Sequence, residues 1–189
     1  MLKIEELKSL LLQHKLFFKF LIKFLLFYAV FTFIYKQYLN QYNPQLNEVD
    51  SISVLVAQNT NDLLHFFKHD SKLVAHEFEP SIKILYKDKY VSRIIEGCNA
   101  VSVIILFAAF IFAFSSSIKR TFLYIILGTI LIYTLNIIRI ALLTYSLYYY
   151  PEYEDLLHGT IFPLFIYGVV FLLWVGWVLK FSGNDKSND

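Results

Sequence analysis

Three residues of the 189-residue chain have side chains that together could carry out acyl transfer: Cys98, Arg139 and His158. A cysteine thiolate is a strong nucleophile toward a carbonyl carbon, and an imidazole is a base suited to forming it near neutral pH. A guanidinium supplies both charge and donors to the oxyanion of a tetrahedral intermediate. Each residue also has a plainer reading. A lone cysteine is most often a small buried apolar residue, Arg139 could snorkel toward lipid headgroups, and His158 could be a polar cap at a helix end. Their positions relative to the apolar segments of the chain make the set worth pursuing.

Those segments dominate the composition. Hydrophobic residues make up 57% of the chain and charged residues 17%, with 19 Phe, 14 Tyr and 2 Trp. A soluble domain of this size leaves too much surface exposed to hide that content, so a soluble globular enzyme is nearly ruled out; the same composition excludes a disordered chain, and the single cysteine excludes a disulfide scaffold. The net charge of +2 implies no polybasic nucleic-acid surface and no nucleic-acid partner.

Crossing a bilayer takes about 20 apolar residues. The cleanest stretches are Cys98 to Ile118, Thr121 to Ser146 and Thr160 to Leu179, with Leu16 to Tyr35 as a less clean fourth that carries Lys19 and Lys23 in its first turns. The expected fold is therefore an all-α integral membrane protein of about four transmembrane helices, with an extracytoplasmic helix and a short β-hairpin between the first and second. Residues 1–35 form an amphipathic start and the first span, 36–97 the extracytoplasmic segment, 98–180 a three-helix catalytic core and 181–189 a polar tail.

Lysine and arginine orient the spans. Lys3, Lys8, Lys15, Lys19 and Lys23 precede or open the first, Lys119 and Arg120 form the turn between the second and third, and Lys180 and Lys186 follow the fourth. The connection from Tyr148 to Gly159 has no Lys or Arg and carries Glu152, Glu154 and Asp155. Both termini are then cytoplasmic, and the segment from Lys36 to Gly97 is outside. In that segment Val49 to Phe67 has helical periodicity, with Asp50 or Ser51 as cap. Ile82 to Tyr86 and Tyr90 to Ile94 read as strands joined at Lys87-Asp88-Lys89.

On this topology Cys98 opens the second span at its outer end, where a helix N-terminus favours the thiolate. Arg139 lies about 27 Å along the third span, from the rise of an α-helix, hence near its outer edge. Asn136 is one turn earlier on the same face, and His158 opens the fourth span at the outer face. All three reactive groups fall at one depth. His65 and His69, at i and i+4, with His76-Glu77 beyond, have a spacing that can hold a metal, but Lys68, Asp70 and Lys72 around them point to a solvated face, and no metal or cofactor is expected. Glu152, Glu154 and Asp155 could orient His158 or keep the loop in water; the second is preferred for at least two of them.

The hairpin running into Glu96-Gly97-Cys98, the stretch Asn136-Ile137-Ile138-Arg139-Ile140, and His158-Gly159 opening the next span resemble the exosortase/archaeosortase family of membrane cysteine transpeptidases over roughly residues 80 to 179. That family places Cys, Arg and His in this order at the outer ends of consecutive helices. It commonly shows Cys-Ser-Gly where this chain has Cys98-Asn99-Ala100, and its longer members have about eight spans. The compact build looks most like the exosortase F subgroup of Bacteroidetes. The resemblance implies that Cys98, Arg139 and His158 are catalytic, with Asn136 and Asn99 in support. It also implies substrates that are exported proteins bearing a C-terminal sorting signal made of a short motif, a transmembrane helix and a basic tail. The implied location is the inner membrane of a bacterium, multi-pass, with the site outside, and a small accessory membrane protein is a conceivable partner. The alternative is a non-catalytic membrane subunit that packs against partner transmembrane helices, with Arg139 and Asn136 paired to a partner's acidic residue.

Overall fold

A computed structural model describes residues 14–114 and 117–181. The lysine-bearing start before residue 14 and the tail from residue 182 lie outside the described residues. Helix α1 is Lys15–Leu39, α2 is Ser51–Phe66, α3 is Val101–Ala113, α4 is Ile118–Tyr149 and α5 is Phe162–Phe181, with strands β1 Ser71–Ala75, β2 Ile82–Tyr86 and β3 Lys89–Ile94 between α2 and α3.

Among the described residues three helical stretches are long and apolar enough to cross a membrane: Lys15–Leu39, Ile118–Tyr149 and Pro151–Lys180. The stretch expected to span from Cys98 to Ile118 differs, being α-helical only over the 13 residues of α3. At about 1.5 Å per residue that covers roughly 20 Å, short of a bilayer core. Its shortness goes with its place: α3 packs against α1, α4 and α5, and Phe107 and Ile111 are fully buried. Helix α1 instead turns Ile22, Leu26 and Phe33 outward, and touches α3 through Phe27 on Phe112 and Phe20 on Phe110 and Phe114. The helices run alternately up and down. One end carries Lys19, Lys119, Arg120 and Lys180; the other carries the sheet, with Glu152, Glu154 and Asp155 on the connection into α5.

The expected helix in the long connection is present as α2, and Asp50 caps it by accepting from the Ser53 N–H at 2.9 Å. Tyr38 and Tyr42 at the end of α1 add two more acceptors, for the N–H groups of Ile52 and Ser51. Lys68, in the left-handed region at φ 60°, closes the other end: the Lys68 and His69 N–H groups bond back to the His65 and Leu64 carbonyls, a Schellman arrangement.

The two expected strands are present, but the sheet has three strands in the order β1-β2-β3, all antiparallel. The hairpin expectation is corrected by β1, a five-residue strand among charged neighbours whose pairing with β2, rather than its own pattern, makes it a strand. The β2–β3 turn carries Lys87 and Asp88 at φ 50° and 60°, the left-handed pair of a type I′ turn. Alternate residues Ile82, Ile84 and Tyr86 face inward and form a core with Val56, Ala57 and Leu64 of α2 and Ile140 and Ala141 of α4. The 32 residues of α4 reach about 48 Å, so its end extends past a bilayer core and becomes the post on which the sheet is mounted. Lys87 completes the mounting, donating to the Tyr149 hydroxyl at 3.1 Å and lying over the rings of Tyr86, Tyr148 and Tyr149.

A second core joins α3, α4 and α5 around Phe107, Ile132, Val170 and Trp177. Its tightest point is Gly128 of α4, where an added Cβ would overlap the buried Phe107 ring. Small residues let membrane helices approach this closely. Gly128→Ala should therefore destabilise the protein by about 1–3 kcal/mol, read as a lower thermal unfolding midpoint in detergent, and pairing it with Phe107→Leu should recover part of the loss.

Candidate functional site

Cys98 ends a one-turn 3-10 helix, Glu96–Cys98, and α3 begins only at Val101. The expectation that Cys98 opens the helix is thus corrected. The physical reason lies in the next two residues. Ala100 sits in the left-handed region at φ 64°, which an L-residue enters at a cost of about 1–2 kcal/mol, and it turns the chain before the helix can start. Asn99 accepts the Val101 N–H at 3.0 Å, which satisfies one of the helix's orphan donors from outside the helix.

The same Asn99 is buried and spends its amide donors on two distant partners, the Tyr35 hydroxyl of α1 at 2.8 Å and the Ser53 hydroxyl of α2 at 3.2 Å. From the other side, Asn136 of α4 donates to the carbonyl oxygen of Cys98 at 2.7 Å. Arg139 donates to the Asn136 side-chain oxygen at 3.3 Å. One turn of α4 therefore holds the cysteine's own peptide, with the arginine behind it. The Arg139 Nε–H is buried and has no partner among the described residues, so the guanidinium keeps donors unspent.

Cys98 and His158 line one groove of about 430 Å³. Its walls are the Tyr90–Arg93 run of β3, Leu143 and Leu147 of α4, and Glu154. The groove brings together the cysteine and histidine singled out in the sequence. Arg139 is not among its lining residues; its connection to Cys98 runs through Asn136. His158 is exposed, in a π-helical turn over Leu157–Ile161. Pro163 accounts for that turn, since it has no N–H to donate to the Gly159 carbonyl and its ring crowds that oxygen. Such turns widen a helix and re-aim the side chains on it.

Among the acidic residues of that connection, Glu154 lines the groove at i and i+4 from His158, a spacing that was visible in the sequence. Tyr35 and Ser53 had no such signal, lying 64 and 46 residues from Asn99. The remaining histidines are used separately. His65 Nε2 donates to the Ser71 carbonyl, His69 shares a hydrogen bond with the Tyr86 hydroxyl, and His76 Nδ1 accepts the Phe78 N–H. Among the described residues no three His, Cys, Asp or Glu come together in a group that could hold a metal.

A bundle of apolar helices under a small sheet, with a single thiol in a groove between them, defines a membrane protein with a chemically equipped face. Residues 9–179 match the family model described as transmembrane exosortase, and the chain belongs to that family. No curated protein and no solved structure matches it.

Asn136→Leu should lower stability by about 1–3 kcal/mol, because a buried carbonyl and part of a guanidinium lose their partners. Asn99→Leu should cost at least as much, since three bonds go at once: those from its amide to the Tyr35 and Ser53 hydroxyls and the one it accepts from the Val101 N–H. Thermal unfolding in detergent reads both, and Lys72→Gln, at an exposed ion pair, serves as the near-neutral control.

Proposed function

We propose that the protein is a membrane-embedded cysteine transpeptidase or peptidase that cleaves the C-terminal sorting signal of exported proteins and passes the new carboxyl end to an acceptor or to water. The observation that carries the reading is that Cys98 and His158 share one groove while Asn136 holds the Cys98 carbonyl and is itself held by Arg139, in a chain of the exosortase family. The compact build supports assignment to the exosortase F subgroup.

In this reading His158 takes the Cys98 thiol proton and the thiolate attacks the scissile carbonyl carbon, forming a C–S bond and an oxyanion. Arg139, linked to the Cys98 peptide through Asn136, supplies the positive charge that stabilises that oxyanion. Collapse breaks the C–N bond, His158 returns the proton to the leaving amine, and a thioester remains on Cys98. An acceptor hydroxyl, amine or water then attacks the thioester, gives up its proton through His158, and the thiolate leaves. Glu154, one helical turn from His158, is placed to orient the imidazole.

The lysine-rich end faces the cytoplasm and the sheet faces outward, by the asymmetry of Lys and Arg among the connections. Helix α3 then serves as the second of four membrane helices, its short length completed by the turn at Glu96–Cys98 and by the bundle around it. Residues 1–35 hold the first span, 36–97 the outer cap, 98–180 the catalytic core and 181–189 a cytoplasmic tail. The substrates are exported proteins, handled at the outer face of a bacterial inner membrane.

Co-expression with candidate substrates carrying C-terminal helices tests the chemistry. Cys98→Ala and Cys98→Ser should abolish processing, and His158→Ala should reduce it by about 10²–10⁴-fold. Arg139→Ala should reduce it by about 10²–10³-fold, the usual cost of losing an oxyanion donor. Unchanged processing by Cys98→Ala would overturn the reading. A membrane-impermeant maleimide applied to intact cells should label Cys98; labelling only after the cytoplasmic side is opened would reverse the orientation and favour a packing subunit.

A further inference from the structure

We infer that the free edge of β3 is the docking rail for substrate: an extended polypeptide segment adds to the sheet as a fourth strand and is thereby delivered to Cys98. The inference rests on the transpeptidase reading for what happens to that segment, and on the sheet's geometry for how it binds.

In the order β1-β2-β3, β3 is paired on one side only, and no described strand lies on its other side. Such an edge presents a row of N–H and C=O groups ready to pair with another chain. The turn at Lys87 and Asp88 makes Tyr86 and Lys89 the hydrogen-bonded closing pair of the hairpin. The next pair, Leu85 with Tyr90, is then a non-hydrogen-bonded one, so the Tyr90 N–H and C=O point away from β2.

The Cys98 groove lies along this edge. A pocket on one face of a strand collects every second side chain, because successive side chains point to opposite faces. This groove collects Tyr90, Val91, Ser92, Arg93 and Ile95, a run that includes the irregularity at Val91, where alternation is broken. Leu143 and Leu147 of α4, one helical turn apart, line it from the helix side, where Ser92 of β3 and Thr144 share a hydrogen bond at 2.8 Å. Cys98 and His158 line the same groove. The register irregularity of β3, opposite Ile84 and Leu85, is the bulge that bends a strand and re-aims its edge. The occupant that fits is an unfolded stretch of polypeptide: main-chain pairing supplies affinity without a fixed sequence, and alternate side chains meet the groove walls. A folded helix offers no free main-chain groups to this edge, so a helical segment would have to unwind before reaching the thiol.

The test uses the full chain in lipid nanodiscs. The probe is a peptide of alternating threonine and valine, six residues long to match β3, ending in a chloromethyl ketone. Variants carry a single backbone N-methyl group at each position in turn, and 2-chloroacetamide is the small control. Alkylation of Cys98 is followed by intact mass, with each rate normalised to that on free cysteine. The peptide should react about tenfold faster than the control, as two or three added hydrogen bonds allow. N-methylation should remove that gain at every second position and spare the positions between. In a parallel measurement on Cys98→Ala, the same peptide ending in an amide should slow hydrogen exchange in residues 89–95.

A normalised peptide rate equal to the control, or N-methyl effects without a two-residue alternation, overturns edge docking, as does unchanged exchange in residues 89–95. A thiol inert to every electrophile, with exchange in residues 89–95 still slowed, overturns the cysteine chemistry and leaves edge docking standing.

Discussion

Two buried asparagine amides make the joint on which the rest of this structure depends. Asn99 ties the chain just after the cysteine to α1 and α2, and Asn136 ties the cysteine's own carbonyl to α4. Buried polar groups must find partners, and amides that each hold several groups fix a single geometry, because any displacement strands those groups together. Apolar contacts alone would let these helices slide, since lipid is as apolar as the side chains it would replace. The hydrogen bonds supply the directional restraint that the packing lacks, and they do so on both sides of Cys98.

Around that joint the bundle divides its work. Helix α3 is the hub, covered on several sides, with Gly128 of α4 letting one neighbour come within touching distance of Phe107. Helix α4 is long enough to serve two environments, packing in the bundle at one end and carrying the sheet at the other. Its Ile140 and Ala141 enter the core of the sheet, Thr144 shares a hydrogen bond with Ser92 of β3, and Tyr149 receives Lys87. Arg139 sits between these two regions, which explains how a charged side chain is accommodated: it is half-buried, beside Asn136, where the bundle gives way to the cap.

Much of this was legible in the chain itself. The scarcity of charge marked the membrane segments, and strands around Ile82–Tyr86 and Tyr90–Ile94 followed from alternation on either side of Lys87-Asp88-Lys89. Asp50 or Ser51 marked the start of α2, and the structure makes Asp50 the cap. Cys98, Arg139 and His158 stood out because the apolar background left few residues able to do chemistry, and Asn136 because it lies one turn from Arg139. Each of these signals is local: a period, a cap, a spacing within one element.

What the sequence by itself determined, then, was the membrane class, most of the elements and a short roster of candidate residues, because hydropathy, periodicity and capping act over a few neighbouring positions. Only the tertiary structure decided that β1 is a strand, because its partner β2 lies across a separate loop. Only there does α3 begin at Val101, since Ala100 takes a left-handed conformation that no periodicity records. The groove, too, is a product of three elements distant in the chain, and so are the Tyr35 and Ser53 partners of Asn99. Those features come from contacts between residues dozens of positions apart, and a contact of that kind leaves no pattern in either of the segments that make it.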